Sequence, residues 1–280
     1  MNRSATVADR SSSLIAFFAL SLFAWVIWLA QTGQQLGILS WAPSLQSPLN
    51  ALTVWSPGLA AMFLTWRASG KPGLAALFRS LGQWRVPLRW YAIALLLAPA
   101  TWVLAFSIDR LLGLSYDLGP ALLVDTFTAA TAFMIPIAIL FTLPDALGEE
   151  LGWRAFALPR LQTMYGPLVG SVVLGLFWGF WHIPARVAWR SSDLSWWPLL
   201  GLVINTVPTA ILFTWIFNRT GGNLLLVCLY HASITNKGYF MPKLSTLTET
   251  VLLWLVAIIV VVAGDLSIPR ESRPNESSAG

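Results

Sequence analysis

Cysteine, histidine and charge are all scarce in this chain, and each scarcity removes a class of explanation. One cysteine, Cys228, excludes an internal disulfide and a cysteine-based zinc cluster. Charged residues make up 10% of the sequence, under half of the roughly 25% typical of soluble chains. An ordinary soluble domain is therefore excluded. No basic run occurs, so the net charge of +5 reads as membrane orientation and not as nucleic-acid binding. No HExxH segment is present, so the single-helix zinc template is missing. No Gly-x-Ser-x-Gly-like nucleophile is present either, which argues against a serine protease. An internal repeat, as a transporter built from inverted halves would carry, is also lacking.

What is abundant is apolar. The chain is 56% hydrophobic, has a mean hydropathy of +0.68 and holds 16 Trp and 15 Phe, which marks a polytopic, all-α membrane protein. A helix crossing the bilayer core needs about 20 mostly apolar residues. About eight such spans are predicted, at 14–31, 50–66, 90–112, 122–144, 167–183, 198–217, 223–240 and 249–264. Residues 1–13 read as a polar N-terminal tail, 14–266 as one transmembrane domain and 267–280 as a disordered tail rich in Ser, Pro, Arg and Glu. The first apolar run is longer than a signal-peptide core and lacks a clear cleavage site, so a retained first helix is expected.

The positive-inside rule orients this bundle. With both termini cytoplasmic, Arg3, Arg10, Arg67, Lys71, Arg79, Arg85, Arg89, Arg154, Arg160, Arg219, Arg270 and Arg273 fall on the cytoplasmic side. Arg110, Arg186, Arg190, Lys237 and Lys243 fall opposite, a ratio of twelve to five. The implied location is the cell membrane, multi-pass. The stretch 67–89 interleaves apolar and basic residues, as either an interfacial amphipathic helix or an ordinary connection would. The stretch 145–166 reads as a helix entering from the membrane surface, ended by Tyr165-Gly166-Pro167.

Ionisable groups at membrane depth are costly, and so are functional candidates by default. Three segments carry them: Glu149-Glu150 with Arg154, then Trp178 to His182, then His231 to Asn236. On a helix Glu150 and Arg154 are four apart and pair naturally, which leaves Glu149 for other work. Taken singly, each residue has a plainer explanation: a solvated helix end, a histidine closing a span, a satisfied core histidine. Together they suggest one convergent polar site. Two histidines and a glutamate are a ligand set of catalytic zinc, so zinc on Glu149, His182 and His231 is one scheme. The metal-free alternative has Glu149 and His182 polarise a water while His231, with Asn236 or Thr235, donates to an oxyanion.

The order EExxxR, aromatic-xxx-His, then His followed by Asn, each on its own apolar segment, resembles the CPBP (Abi) family of intramembrane proteases. That family includes the endopeptidases that trim CAAX-prenylated proteins and relatives tied to bacteriocin processing or immunity. The resemblance covers roughly residues 120–262. It implies Glu149 as catalytic glutamate, Glu150 and Arg154 completing that motif, and His182 and His231 as the two histidines. Two positions depart from the family pattern: Trp178 stands where Phe is usual, and Thr235 where Asn is often found, with Asn236 following. The expected activity is hydrolysis of a peptide bond near the cytoplasmic face, in a membrane-associated protein or peptide, prenylated substrates included. The alternative is a non-catalytic immunity or scaffold protein of the same fold.

Overall fold

The computed structural model describes residues 7–44, 47–114, 129–189, 196–240 and 246–267. Arg3, Arg190, Lys243, Arg270 and Arg273, used above for orientation, lie outside them, as do the tail from residue 268 and the first part of the span at 122–144. The described residues form ten α-helices and no strand: α1 (Val7–Ser21), α2 (Phe23–Gln35), α3 (Leu49–Arg79), α4 (Leu88–Leu111), α5 (Ala129–Glu150), α6 (Leu158–Trp181), α7 (Ile183–Trp189), α8 (Trp196–Arg219), α9 (Leu224–Phe240) and α10 (Thr246–Val262). The chain is a polytopic helical bundle. Segments Ser11–Gln35, Leu88–Leu111, Phe133–Ala188 and Leu199–Arg219 are each long and apolar enough to cross a membrane, and Leu247–Val262 is a shorter apolar helix.

The stretch 145–166 is not a separate entering helix. Its acidic residues end α5, the chain continues through a π-helical segment (Leu151–Ala157), and α6 begins without a loop. The reason is burial, since Glu149, Glu150, Arg154 and Trp153 all face the interior of the bundle. Gly166, with φ of 79°, does bend the chain ahead of Pro167, but within α6. Helix α1 begins at Val7, inside the stretch read as a tail.

Lipid tails are as apolar as leucine, so helices in a bilayer associate by close packing over small residues. Two such seams set the site. Gly148 and Gly152 press on α3, where a Cβ on Gly152 would lie 2.6 Å from the Pro57 backbone carbonyl. Gly175 and Gly179 press α6 on α8, where added Cβ atoms would lie 2.8 Å from Val207 Cα and 3.0 Å from Val203 Cα. The first seam fixes the segment bearing the glutamates, and the second fixes the helix that ends at His182.

Breaks in helices expose backbone groups that a bilayer cannot hydrate, so neighbours must satisfy them. At Leu22, between α1 and α2, the Ser21 carbonyl accepts from Ser56 Oγ at 2.9 Å and from Trp181 Nε1 at 2.8 Å. The first turn of α10 is tied down by side chains: Thr248 to the buried Asp109, Glu249 to Lys237, and Thr250 to Asn205. In the stretch 67–89, Leu77 is buried, Phe78 and Leu81 pack against the core and Leu74 is half-buried, while Lys71, Arg79, Trp84, Arg85 and Arg89 are exposed. That distribution is amphipathic, as an interfacial segment requires.

Candidate active site

The glutamates end α5 where the helix widens into its π turn. Pro159 lacks an N–H, so this turn cannot complete a regular α-helical ladder. Single π turns of this kind recur at functional sites. Glu150 and Arg154 are fully buried and form an ion pair at 2.8 Å, as their spacing predicts. The guanidinium lies against two perpendicular rings, its Cζ 3.8 Å from the centre of Phe213 and 4.7 Å from that of Trp178. A cation desolvated against aromatic faces gains from their negative quadrupoles.

Glu150 serves a second partner. His231 Nδ1 lies 2.7 Å from the same Oε1 that holds Arg154. A carboxylate only accepts, so this nitrogen carries hydrogen and His231 turns Nε2 away from Glu150. His182 is fixed in the same sense by a different acceptor. Its Nδ1 lies 2.9 Å from the Trp178 carbonyl, so Nδ1 donates and Nε2 presents its lone pair.

Both Nε2 atoms face one oxygen. Glu149 Oε1 lies 4.0 Å from His182 Nε2 and 3.9 Å from His231 Nε2. Its other oxygen, Oε2, accepts from two indoles, Trp178 Nε1 at 2.8 Å and Trp153 Nε1 at 3.2 Å. Glu149 is thus free of the arginine, as expected, but not free of partners. Its indole-bound oxygen anchors it, and the other oxygen looks into the space between the imidazoles. With 20% of His182, 12% of His231 and 7% of Glu149 side-chain surface open, this space is not sealed by protein.

Asn236 stands apart from that trio. Its Nδ2 donates to Thr142 Oγ1 and to the Ala232 carbonyl, both at 2.8 Å. The Ala232 carbonyl can only accept, which fixes the amide's orientation and spends both N–H groups. Oδ1 is left buried without a partner. In this arrangement Asn236 offers an acceptor, not an oxyanion donor. Thr235 is half-buried on the same helix.

The right donors for zinc are present, but their spacing is not that of a zinc site. Ligands about 2.0–2.2 Å from a tetrahedral ion stand about 3.4 Å apart. Both nitrogen–oxygen separations here are wider. Among the described residues no three His, Cys, Asp or Glu side chains are grouped to hold a metal ion.

Residues 130–236, which hold all three motif segments, match the family model described as type II CAAX prenyl endopeptidase, Rce1-like. Over this core the chain is similar to the type II CAAX prenyl endopeptidases. CAAX prenyl protease 2 of Methanococcus maripaludis is 27% identical over 143 residues, 49% of this chain and 52% of the relative. The chain therefore spans about half the length of the curated relative it matches.

Within the matched core, the departure at Trp178 acquires a purpose that sequence did not convey. Phe has no N–H, whereas Trp178 donates one to Glu149 and gives its carbonyl to His182. Both indole donors, Trp153 and Trp178, look like membrane packing in the sequence, because nothing in an apolar periodicity reports where an N–H points. Trp178→Phe keeps an aromatic ring and removes the bond. A hydrogen bond to a charged group is worth about 1.5–3 kcal/mol. The variant should therefore lose about 1.5–3 kcal/mol of stability, and kcat should fall as Glu149 loses an anchor. Steady-state kinetics beside a thermal melt will check this.

Proposed function

We propose that this protein is an intramembrane endopeptidase that hydrolyses a peptide bond in a membrane-associated substrate, near the cytoplasmic face of the cell membrane, with water activated by Glu149. One observation carries the reading: two imidazole Nε2 atoms and a carboxylate oxygen facing one another across about 4 Å. A water about 2.8 Å from Oε1 and from an Nε2 spans that gap at an angle of about 90°. No closer fit is needed for a base and its water.

The chemistry follows from which atoms carry hydrogen. Glu149 Oε1 takes a proton from the water as its oxygen bonds to the scissile carbonyl carbon. His182, locked with its Nε2 lone pair inward, orients the same water. The oxyanion that forms needs a donor, and His231 provides it when Nε2 is also protonated, its positive charge compensated by the Glu150 carboxylate at Nδ1. The C–N bond then breaks, and the proton held by Glu149 passes to the departing amine. Glu150 and Arg154 act through His231, as positioning residues. A non-catalytic scaffold would have no use for two imidazoles trained on one carboxylate oxygen.

Zinc, if bound, would supply Lewis acidity at Glu149, His182 and His231, which would first have to draw closer together. No step above is routed through it. The test is reconstitution of purified protein in lipid vesicles with membrane-anchored fluorogenic peptides, prenylated and unprenylated. Cleavage is expected, with the rate unchanged by a chelator such as EDTA. Loss of activity in chelator, restored by zinc, would replace the metal-free scheme. No cleavage of any anchored peptide would overturn the enzymatic reading.

A further inference from the structure

A third carboxylate stands beside this site with no part in the chemistry above. Asp145 lies one helical turn before Glu149 on α5, so the two share a face. Its position is bracketed by two ties between α5 and α9: Thr142 to Asn236 on one side, and Glu150 to His231 on the other. Asp145 is exposed, unlike the glutamates. The charged groups acting on it are Glu149 and His231. Among the described residues no Lys or Arg pairs with it, although the chain carries 17 of them.

The second open group on this seam is also an acceptor. Asn236 is 4% exposed, and its Oδ1 has no partner because Thr142 and Ala232 fix the amide the other way round. A buried acceptor without a donor carries a desolvation cost of about 1–3 kcal/mol. A carboxylate and a carbonyl oxygen on one seam both lack a donor. A neutral donor would satisfy Asn236 Oδ1 alone, whereas a cationic side chain with several N–H groups also neutralises Asp145.

We propose that Asp145 and Asn236 Oδ1 form a specificity subsite on the α5–α9 seam that receives a cationic side chain, Lys or Arg, of the substrate beside the bond to be cleaved. The inference rests on the endopeptidase reading and adds the chemical class of the flanking residue. A long basic side chain suits the place, because its aliphatic stem lies along the apolar seam while the charged head meets the acceptors. Bound there, it also holds the substrate backbone next to Glu149.

The experiment uses the full chain in lipid vesicles and sets of anchored peptides differing at one position. Lys, its neutral isostere norleucine, and Glu are placed in turn at each position flanking the cleaved bond. At one position Lys should exceed norleucine in kcat/KM by about tenfold or more, as a charge-assisted bond gives, chiefly through KM. Asp145→Asn should bring that ratio close to one, and Asp145→Lys should invert it in favour of Glu. Identical preferences in wild type and Asp145→Lys, or no preference at any position, would overturn the proposal. If the wild type cleaves none of the peptides, the protease reading fails, and fluorescence anisotropy of the same peptides decides the subsite alone. Tighter binding of the Lys peptides that Asp145→Asn abolishes would sustain it, and equal binding would end it.

Discussion

Glu149→Gln is expected to lower peptide cleavage by at least about a thousandfold while leaving the protein folded. General-base catalysis alone is worth about 10²–10⁴, and groups that act as a unit lose most of their combined effect when one is removed. The substitution is chosen to spare the surroundings. The new amide oxygen can still accept from Trp153 and Trp178, and a new N–H faces the lone pair of His182 Nε2. Only the proton-accepting power of Oε1 is lost. Single-turnover cleavage in vesicles, with a thermal melt as control, measures both halves of this expectation. A variant that melts like wild type and cleaves at the wild-type rate would remove Glu149 as the base.

Glu150→Ala should damage the fold as severely as Glu149→Gln damages the chemistry. Removing one partner of a buried ion pair leaves the other charge uncompensated, at a cost of about 3–5 kcal/mol. Here that charge is Arg154, wholly buried against Phe213 and Trp178 with two of its nitrogens already lacking partners. His231 loses its acceptor in the same step. A strongly lowered melting temperature or loss of expression is expected. The double variant Glu150→Leu/Arg154→Met should recover much of the stability, because an apolar pair of similar volume replaces a buried ion pair at little or no net cost. It should stay inactive, since His231 remains unheld. A double variant as unstable as Glu150→Ala would show that the ion pair does more than neutralise itself.

These two residues also show how far the sequence could be read. The i,i+4 pairing of Glu150 with Arg154 is local arithmetic and survives in the structure, as does the convergence of Glu149, His182 and His231, three polar groups too costly to leave scattered in an apolar bundle. The all-helical architecture was legible for the same reason. Other features depend on what the partner helix brings. That Glu149 rests on Trp153 and Trp178 depends on the direction of two indole N–H bonds. That Asn236 leaves its carbonyl oxygen unpaired depends on Thr142, 94 residues away. The continuity of α5 into α6 was missed because charged residues between apolar runs look like a surface segment, and only their burial against α3 and α8 says otherwise.

The glycine seams have a consequence for evolution as well as for assembly. Where backbone rests on backbone, no rotamer remains to take up slack, so the separation between the acid and the imidazoles acts as a fixed gauge. Drift among lipid-facing side chains leaves that gauge untouched, and homologues are free to change most of their outer surface without retuning the reaction. A single methyl group at Gly152 or Gly179 would shift the gauge at once.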